Sequence, residues 1–255
     1  MTTTDLLLKR IKGTHVKLLG DNLVGIYLHG SYVLGAYREG VSDLDYLIVV
    51  ERPLTDTTKA ALMTLTLEQL WPLAPQKGLE FHVLLRRDVA TFHAPCPFDF
   101  HFSKYHYQHY LDDPVQYIKT MHGTDPDLAA HLMILEKYGQ TVWGPTISKV
   151  FGAVSPTDYW HSILFDIANA QTQIMVTPTY TSLNLCRVLA YRWDGVILSK
   201  PGGGRWGLAN LDQRWHPLLQ AAISAYTQPT TPTEVPTSEL TAFATWMLQR
   251  IQAPN

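Results

Sequence analysis

The sequence predicts an α+β chain in two parts: a sheet flanked by helices over residues 1–154, then an all-helical domain over 155–255. Three observations carry this reading. Apolar runs at 23–29, 45–50 and 79–85 have the length and the β-branched and aromatic content of strands. The segments 156–175, 179–193 and 237–252 carry apolar stripes at helical spacing, with no compelling strand among them. A connector punctuated by Gly and Pro, residues 140–155, separates the two halves.

The bulk numbers set the class. A chain of 255 residues with 46% hydrophobic and 16% charged residues is an ordinary globular protein with room for a sizeable core. Its net charge of −2 offers no basic field for nucleic acid. Cys96 and Cys186 are the two cysteines, far apart and without metal-type spacing, and read as free thiols in a reducing compartment. The leucines near the N-terminus are interleaved with Asp5, Lys9 and Arg10, so they make an amphipathic helix rather than a signal peptide. No apolar run reaches membrane-spanning length, and a cytoplasmic location is expected.

In chain order, residues 4–18 are expected to be a helix with Leu6, Leu7, Ile11 and Val16 inward. The first strand follows at 23–29, then a short helix from Ser31 to Tyr37, then the second strand at 45–50. Residues 55–71 carry N-cap candidates and apolar positions at helical spacing, and Pro72 and Pro75 end them. Residues 79–85 form the third strand, with Leu79, Phe81, Val83 and Leu85 on one face and Glu80, His82 and Leu84 on the other. Asp88 starts a turn or short helix. Residues 99–110 alternate well enough for a further strand, and 125–139 read as a capped helix with a Gly stop. In the second half, 216–226 is a shorter helix, 200–205 a flexible basic Gly loop, and 228–236 a polar Pro-rich loop.

Candidate chemistry gathers between the first two strands. Gly30 allows close backbone approach to a phosphate. Ser31 adds a hydroxyl and an N–H at a helix start, where anions are favoured. Asp43 and Asp45, one residue apart at the head of a strand, point to one face. Such a pair is costly without a cation between its members, and Mg²⁺ carrying a nucleoside triphosphate is the natural one. The plain alternative is a strand cap and a turn. Glu80 in an apolar strand is either an exposed edge carboxylate or the third acid of the same site, placed to accept a proton. His101, His106 and His109 invite a zinc reading, but their spacing mixes strand faces and no Cys or clustered acid completes a set. Lys200 and Arg205 flank three glycines that could contact a triphosphate. The loop lacks the order of a Walker A motif and also reads as a simple connector.

The order of apolar strand, Gly30-Ser31, Ser42-Asp43-Leu44-Asp45 and a second apolar strand resembles the nucleotidyltransferase superfamily. Over nearly its whole length the chain is similar to the bacterial aminoglycoside nucleotidyltransferases of the streptomycin/spectinomycin adenylyltransferase type. Looser markers are Asp125-Pro-Asp-Leu-Ala, Val142-Trp-Gly-Pro145, Leu183-Asn-Leu-Cys-Arg187, Gly195-Val-Ile-Leu-Ser-Lys200 and Tyr226. The resemblance implies a polymerase-beta-like mixed sheet facing a helical domain, with substrates between them. It implies AMP transfer from ATP, with Mg²⁺, to a hydroxyl of a small cationic substrate, an aminoglycoside, and so a role in antibiotic resistance. By the same resemblance Ser31 and Ser42 contact the triphosphate, Asp43 and Asp45 hold Mg²⁺, and Glu80 is the catalytic base and a drug contact. Lys200 and Tyr226 touch the nucleotide. Tyr105 takes the place of an aromatic drug contact that is usually Trp. The loop 176–180 lacks the acidic drug contact of the family, and Asp166 is the candidate to replace it. A monomer acting on small molecules, with no nucleic acid or membrane partner, is expected. The alternatives are a protein AMP-transferase of toxin–antitoxin type and a non-catalytic nucleotide-binding protein.

Overall fold

A computed structural model describes residues 2–228 and 235–253. The chain forms two compact units, Met1–Ser162 and Ile163–Asn255. The first contains α1 (Thr3–Leu19), β1 (Leu23–Leu28), α2 (Gly30–Val33), β2 (Leu44–Val50), α3 (Asp56–Leu65) and β3 (Leu79–Leu85). It continues with α4 (Arg86–Ala90), β4 (Cys96–Phe98), β5 (Phe100–Phe102), α5 (Tyr107–Asp112), α6 (Pro114–Thr120), β6 (Gly123–Asp125), α7 (Leu128–Tyr138) and β7 (Gln140–Trp143). The helix α8 (Pro156–Asp166) runs across the division.

A five-stranded sheet, ordered β5-β3-β2-β1-β7, is the centre of the first unit. β2 and β3 are parallel and the other pairs antiparallel, so the sheet is mixed. One face packs on a core to which α1, α3 and α6 contribute Leu7, Ile11, Leu62, Met63 and Tyr117. That core takes Leu44, Tyr46, Ile48 and Val50 from β2, Leu79, Phe81, Val83 and Leu85 from β3, and Phe100 and Phe102 from β5. Strand alternation then sends Asp45, Glu80, His82 and His101 to the opposite face. The apolar pattern that builds the core is thus what groups the polar residues.

The second unit is helical, with α9 (Ala170–Val176), α10 (Pro178–Asp194), α11 (Lys200–Asn210), α12 (His216–Thr227) and α13 (Thr237–Gln252). α10 is buried on nearly all sides, through residues from Thr181 to Ala190, with α9, α11, α12 and α13 packed against it. No helix among the described residues is long and apolar enough to cross a membrane.

Several expectations are corrected. The helix expected at 55–71 is α-helical only to Leu65; a π turn, Thr66–Leu70, and a 3₁₀ turn at Trp71–Leu73, with Pro72 inside it, continue it. The strand expected over 99–110 stops at Phe102. Beyond it Tyr107 and Tyr110 follow helical spacing, with Tyr107 stacked on Trp71 at 5.0 Å and Tyr110 edge-on to Tyr117 at 5.5 Å. Asp125 does not cap α7: it ends β6, pairs with Cys96 and turns its carboxylate to His82. The connector 140–155 contributes β7, a short edge strand whose polar half, Gln140 and Thr141, hid it. The helix expected over 156–175 is broken at Ile167–Asn169, and the Asn169 carbonyl accepts the Thr172 and Gln173 N–H groups as the helix restarts at Ala170.

The largest correction concerns residues 200–205, which are helix and not a flexible loop. The Ser199 hydroxyl accepts the Gly202 N–H as an N-cap, and Pro201 lies in the first turn. The glycines buy close approach rather than flexibility. A Cβ on Gly203 would lie 2.9 Å from the Leu183 carbonyl and 2.7 Å from Arg187 Cγ, and one on Gly204 would lie 2.6 Å from Leu183 and Ile223. The Pro-rich loop at 228–236 falls largely outside the described residues, at 229–234.

Candidate active site

The turn between β1 and α2 brings the Gly-Ser motif against the head of β2. Gly30 has φ +64°, and a Cβ there would run into the Asp45 carboxylate. Glycine is therefore required by Asp45 itself, whatever else approaches this turn. The His29 N–H donates to the Asp45 carbonyl at 3.2 Å and ties the turn down. The Ser31 hydroxyl is buried with no hydrogen-bond partner among the described residues, as a group reserved for a ligand would be. Ser42 is 5% exposed and its oxygen accepts the Arg38 N–H at 3.0 Å, so it also shapes the loop leading to Asp43.

Asp43 precedes β2 and Asp45 is its second residue; Glu80 is the register partner of Asp45 on β3. One carboxylate oxygen from each of the three lies within 4.8 Å of the others, and all three residues are half-buried. Three such carboxylates repel strongly unless a cation joins them. Oxygen-only donors suit Mg²⁺, so the donor set fits the expected ion. The Asp43 charge is felt nearby: burial first, then Glu39, Tyr32 and Asp43, raise the Tyr37 hydroxyl, partly offset by its bond to Thr4.

Sequence reasoning missed a group of histidines on the same face of the sheet. His82 and His101 stack at 3.9 Å, His29 and His131 lie 4.7 Å apart, and His106 sits edge-on to His101 at 5.2 Å. His82 Nε2 bonds Asp125 at 3.1 Å, and His101 Nδ1 bonds the Phe81 carbonyl at 3.1 Å. Burial, reinforced by His82 and His106, drives His101 down to about 2. Burial with His131 and His82 holds His29 well below the usual range. Burial alone would raise Asp125; its bonds from His82 and the Asp127 N–H instead bring it to about 2. His82, two residues after Glu80 on one strand face, was the available signal. The trio His101, His106 and His109 does not assemble: His109 turns to Tyr117 at 5.2 Å.

In the second unit Asp166, Tyr180 and Lys200 form one cluster. The Tyr180 hydroxyl donates to Asp166 at 3.1 Å, the Asn184 amide donates to the same carboxylate, and Lys200 Nζ lies 4.6 Å above the Tyr180 ring. Arg187 fixes Asn184 at 2.9 Å and holds the Leu198 carbonyl at 2.7 Å. Asp166 borders a cavity of about 220 Å³ with Gln173, Thr177 and Thr181. That space is smaller than the pockets that enclose a whole drug-sized molecule. Tyr226 is half-buried on α12, while Tyr105 is 90% exposed and edge-on to His106 at 5.1 Å.

Comparison with known proteins matches both parts of the chain. Residues 8–114 match the nucleotidyltransferase domain, and residues 149–250 match the C-terminal domain of aminoglycoside adenylyltransferases. A spectinomycin 9-adenylyltransferase of Staphylococcus aureus is 27% identical over 82% of this chain and 80% of its own length. An aminoglycoside (3'')(9) adenylyltransferase of Klebsiella pneumoniae is 23% identical over 86% of this chain and 84% of its own. A spectinomycin adenyltransferase from Enterococcus, crystallised with ATP and spectinomycin, has the same fold. Its TM-score is 0.81 at 19% identity, over 97% of this chain and 99% of that one. The chain thus carries a nucleotidyltransferase domain followed by an aminoglycoside adenylyltransferase C-terminal domain, and it resembles the bacterial aminoglycoside adenylyltransferases along most of its length.

Proposed function

We propose that this chain, a nucleotidyltransferase domain joined to an aminoglycoside adenylyltransferase C-terminal domain, transfers AMP from ATP to a hydroxyl of an aminoglycoside. The observation that carries the reading is Glu80 in register with Asp45, with Asp43 beside them. The substrate hydroxyl attacks the α-phosphorus, the bond to the bridging oxygen breaks, and pyrophosphate leaves. Glu80 accepts the hydroxyl proton, and Ser31 and Ser42 steady the triphosphate. Asp43 and Asp45 would hold Mg²⁺, which would supply charge neutralisation on the phosphates. Lys200 and Tyr226 contribute nucleotide contacts. Glu80 and Asp166 supply negative charge for a cationic drug, with Tyr105 as an aromatic contact.

Relatives named for spectinomycin and for aminoglycoside adenylylation support this substrate class. The direct test incubates the protein with Mg²⁺, ATP labelled on the α-phosphate and a panel of aminoglycosides. Label on a drug supports the reading. Label on protein instead favours a protein AMP-transferase, and binding without transfer favours a nucleotide-binding role.

A further inference from the structure

Lys200 opens α11 and is held from two directions within the second unit. Along the main chain, Arg187 Nε donates to the Leu198 carbonyl at 2.7 Å, and the Ser199 hydroxyl caps the helix by accepting the Gly202 N–H at 3.2 Å. At the far end of the side chain, the Lys200 ammonium lies 4.6 Å from the centre of the Tyr180 ring, in the first turn of α10.

That ring is itself fixed. Its hydroxyl donates to Asp166, at 3.1 Å to one oxygen and 3.4 Å to the other. The Asn184 amide donates to the same carboxylate, and Arg187 Nη1 donates to Asn184 Oδ1 at 2.9 Å. Asn184 is buried and both ends of its amide are engaged, so it is a rigid link. Arg187 therefore anchors the main chain before Lys200 and, through Asn184 and Asp166, the ring beneath its ammonium. A phenol that donates to a carboxylate is polarised toward phenolate, which strengthens the negative face that a cation meets. A free lysine side chain gives up much rotamer freedom when it binds phosphate. A ring that already holds the ammonium lowers that cost.

We propose that Tyr180 is a positioning residue for nucleotide binding: its ring, held by Asp166, sets the Lys200 ammonium in place for the phosphates of ATP. Tyr180 acts through Lys200, and Asp166 acts through Tyr180. This role rests on the transfer reading, in which Lys200 meets the nucleotide. It gives Asp166 a task in ATP binding beside its place as a negative charge for the drug.

The test is a double-mutant cycle on the full chain, read as ATP affinity by calorimetric titration in Mg²⁺. Tyr180→Leu should weaken ATP binding roughly three- to tenfold, and Tyr180→Phe, which keeps the ring, should recover most of that loss. In a Lys200→Ala background Tyr180→Leu should cost less than about twofold more. Tyr180 is 41% exposed, so the variants should melt close to the native chain. A merely structural tyrosine would lower ATP affinity equally with and without Lys200. Unchanged or tighter binding in Tyr180→Leu, no recovery in Tyr180→Phe, effects that multiply in the double variant, or native affinity in Lys200→Ala would each overturn the proposal. Transfer of label from ATP to drug by the native chain is read separately, so failure here is distinguishable from failure of the transfer reading.

Discussion

Asp45 and Glu80 are register partners across the parallel strands β2 and β3, with their side chains on the face that the core leaves free. Parallel pairing is what makes this work. In an antiparallel pair the heads of the two strands would lie at opposite ends. Here both acids occupy the second position of their strands, and Asp43 joins them from the turn before β2.

Asp45→Asn is expected to lower turnover by at least about a hundredfold, since electrostatic groups at a reacting phosphate carry effects of that size. The melting temperature should hold or rise, because removing one of three crowded carboxylates relieves repulsion. Turnover and melting measured on the same preparation decide it; full turnover in the variant would remove Asp45 from the site.

Lys200→Ala should weaken ATP binding roughly ten- to a hundredfold, the usual worth of a charge-assisted contact to phosphate. In the structure this ammonium lies over Tyr180, itself bonded to Asp166. If calorimetric titration with ATP and Mg²⁺ gives unchanged affinity, Lys200 serves that local cluster instead.

Gly203→Ala distinguishes a helix at 200–205 from a flexible loop. In an exposed helix this change would stabilise by up to about 1 kcal/mol. Here the new Cβ would meet the Leu183 carbonyl and Arg187, so a net loss of about 1–3 kcal/mol is expected. Urea denaturation reads the sign directly.

Acid should unfold the protein early. His15 is fully buried, and burial, only partly offset by its bond to the Ile11 carbonyl, holds it down to about 4 from an ordinary 6.5. A histidine with a depressed folded value contributes its full stability above pH 6.5 and loses it as pH falls toward 4. The loss at pH 5 is about 2 kcal/mol for His15. His29 and His101 shift in the same direction and add to it. Urea midpoints at pH 7.5 and 5 should differ accordingly, and His15→Leu should shrink the difference; an equal difference in both proteins would refute the assignment.

Much of this site was legible from spacing. Asp-apolar-Asp at a strand head and a Glu within an apolar strand are period-2 signals, and period 2 places side chains by face. What stayed hidden depends on contacts between distant segments. Asp125 reads as a helix cap until β6 is seen to carry it to His82. The glycines at 202–204 read as a loop because the reason for them, the surface of α10, lies elsewhere in the chain. β7 is too short and too polar to announce itself without β1 beside it.

The central claim is tested most directly by transfer of α-labelled phosphate from ATP to spectinomycin and streptomycin, run in parallel with the native chain and with Glu80→Gln. The account predicts labelled drug from the native protein, none from Glu80→Gln, and the same ATP affinity in both, because Asp43 and Asp45 remain. Labelled drug at the native rate from Glu80→Gln, or no labelled drug from the native protein, would contradict it.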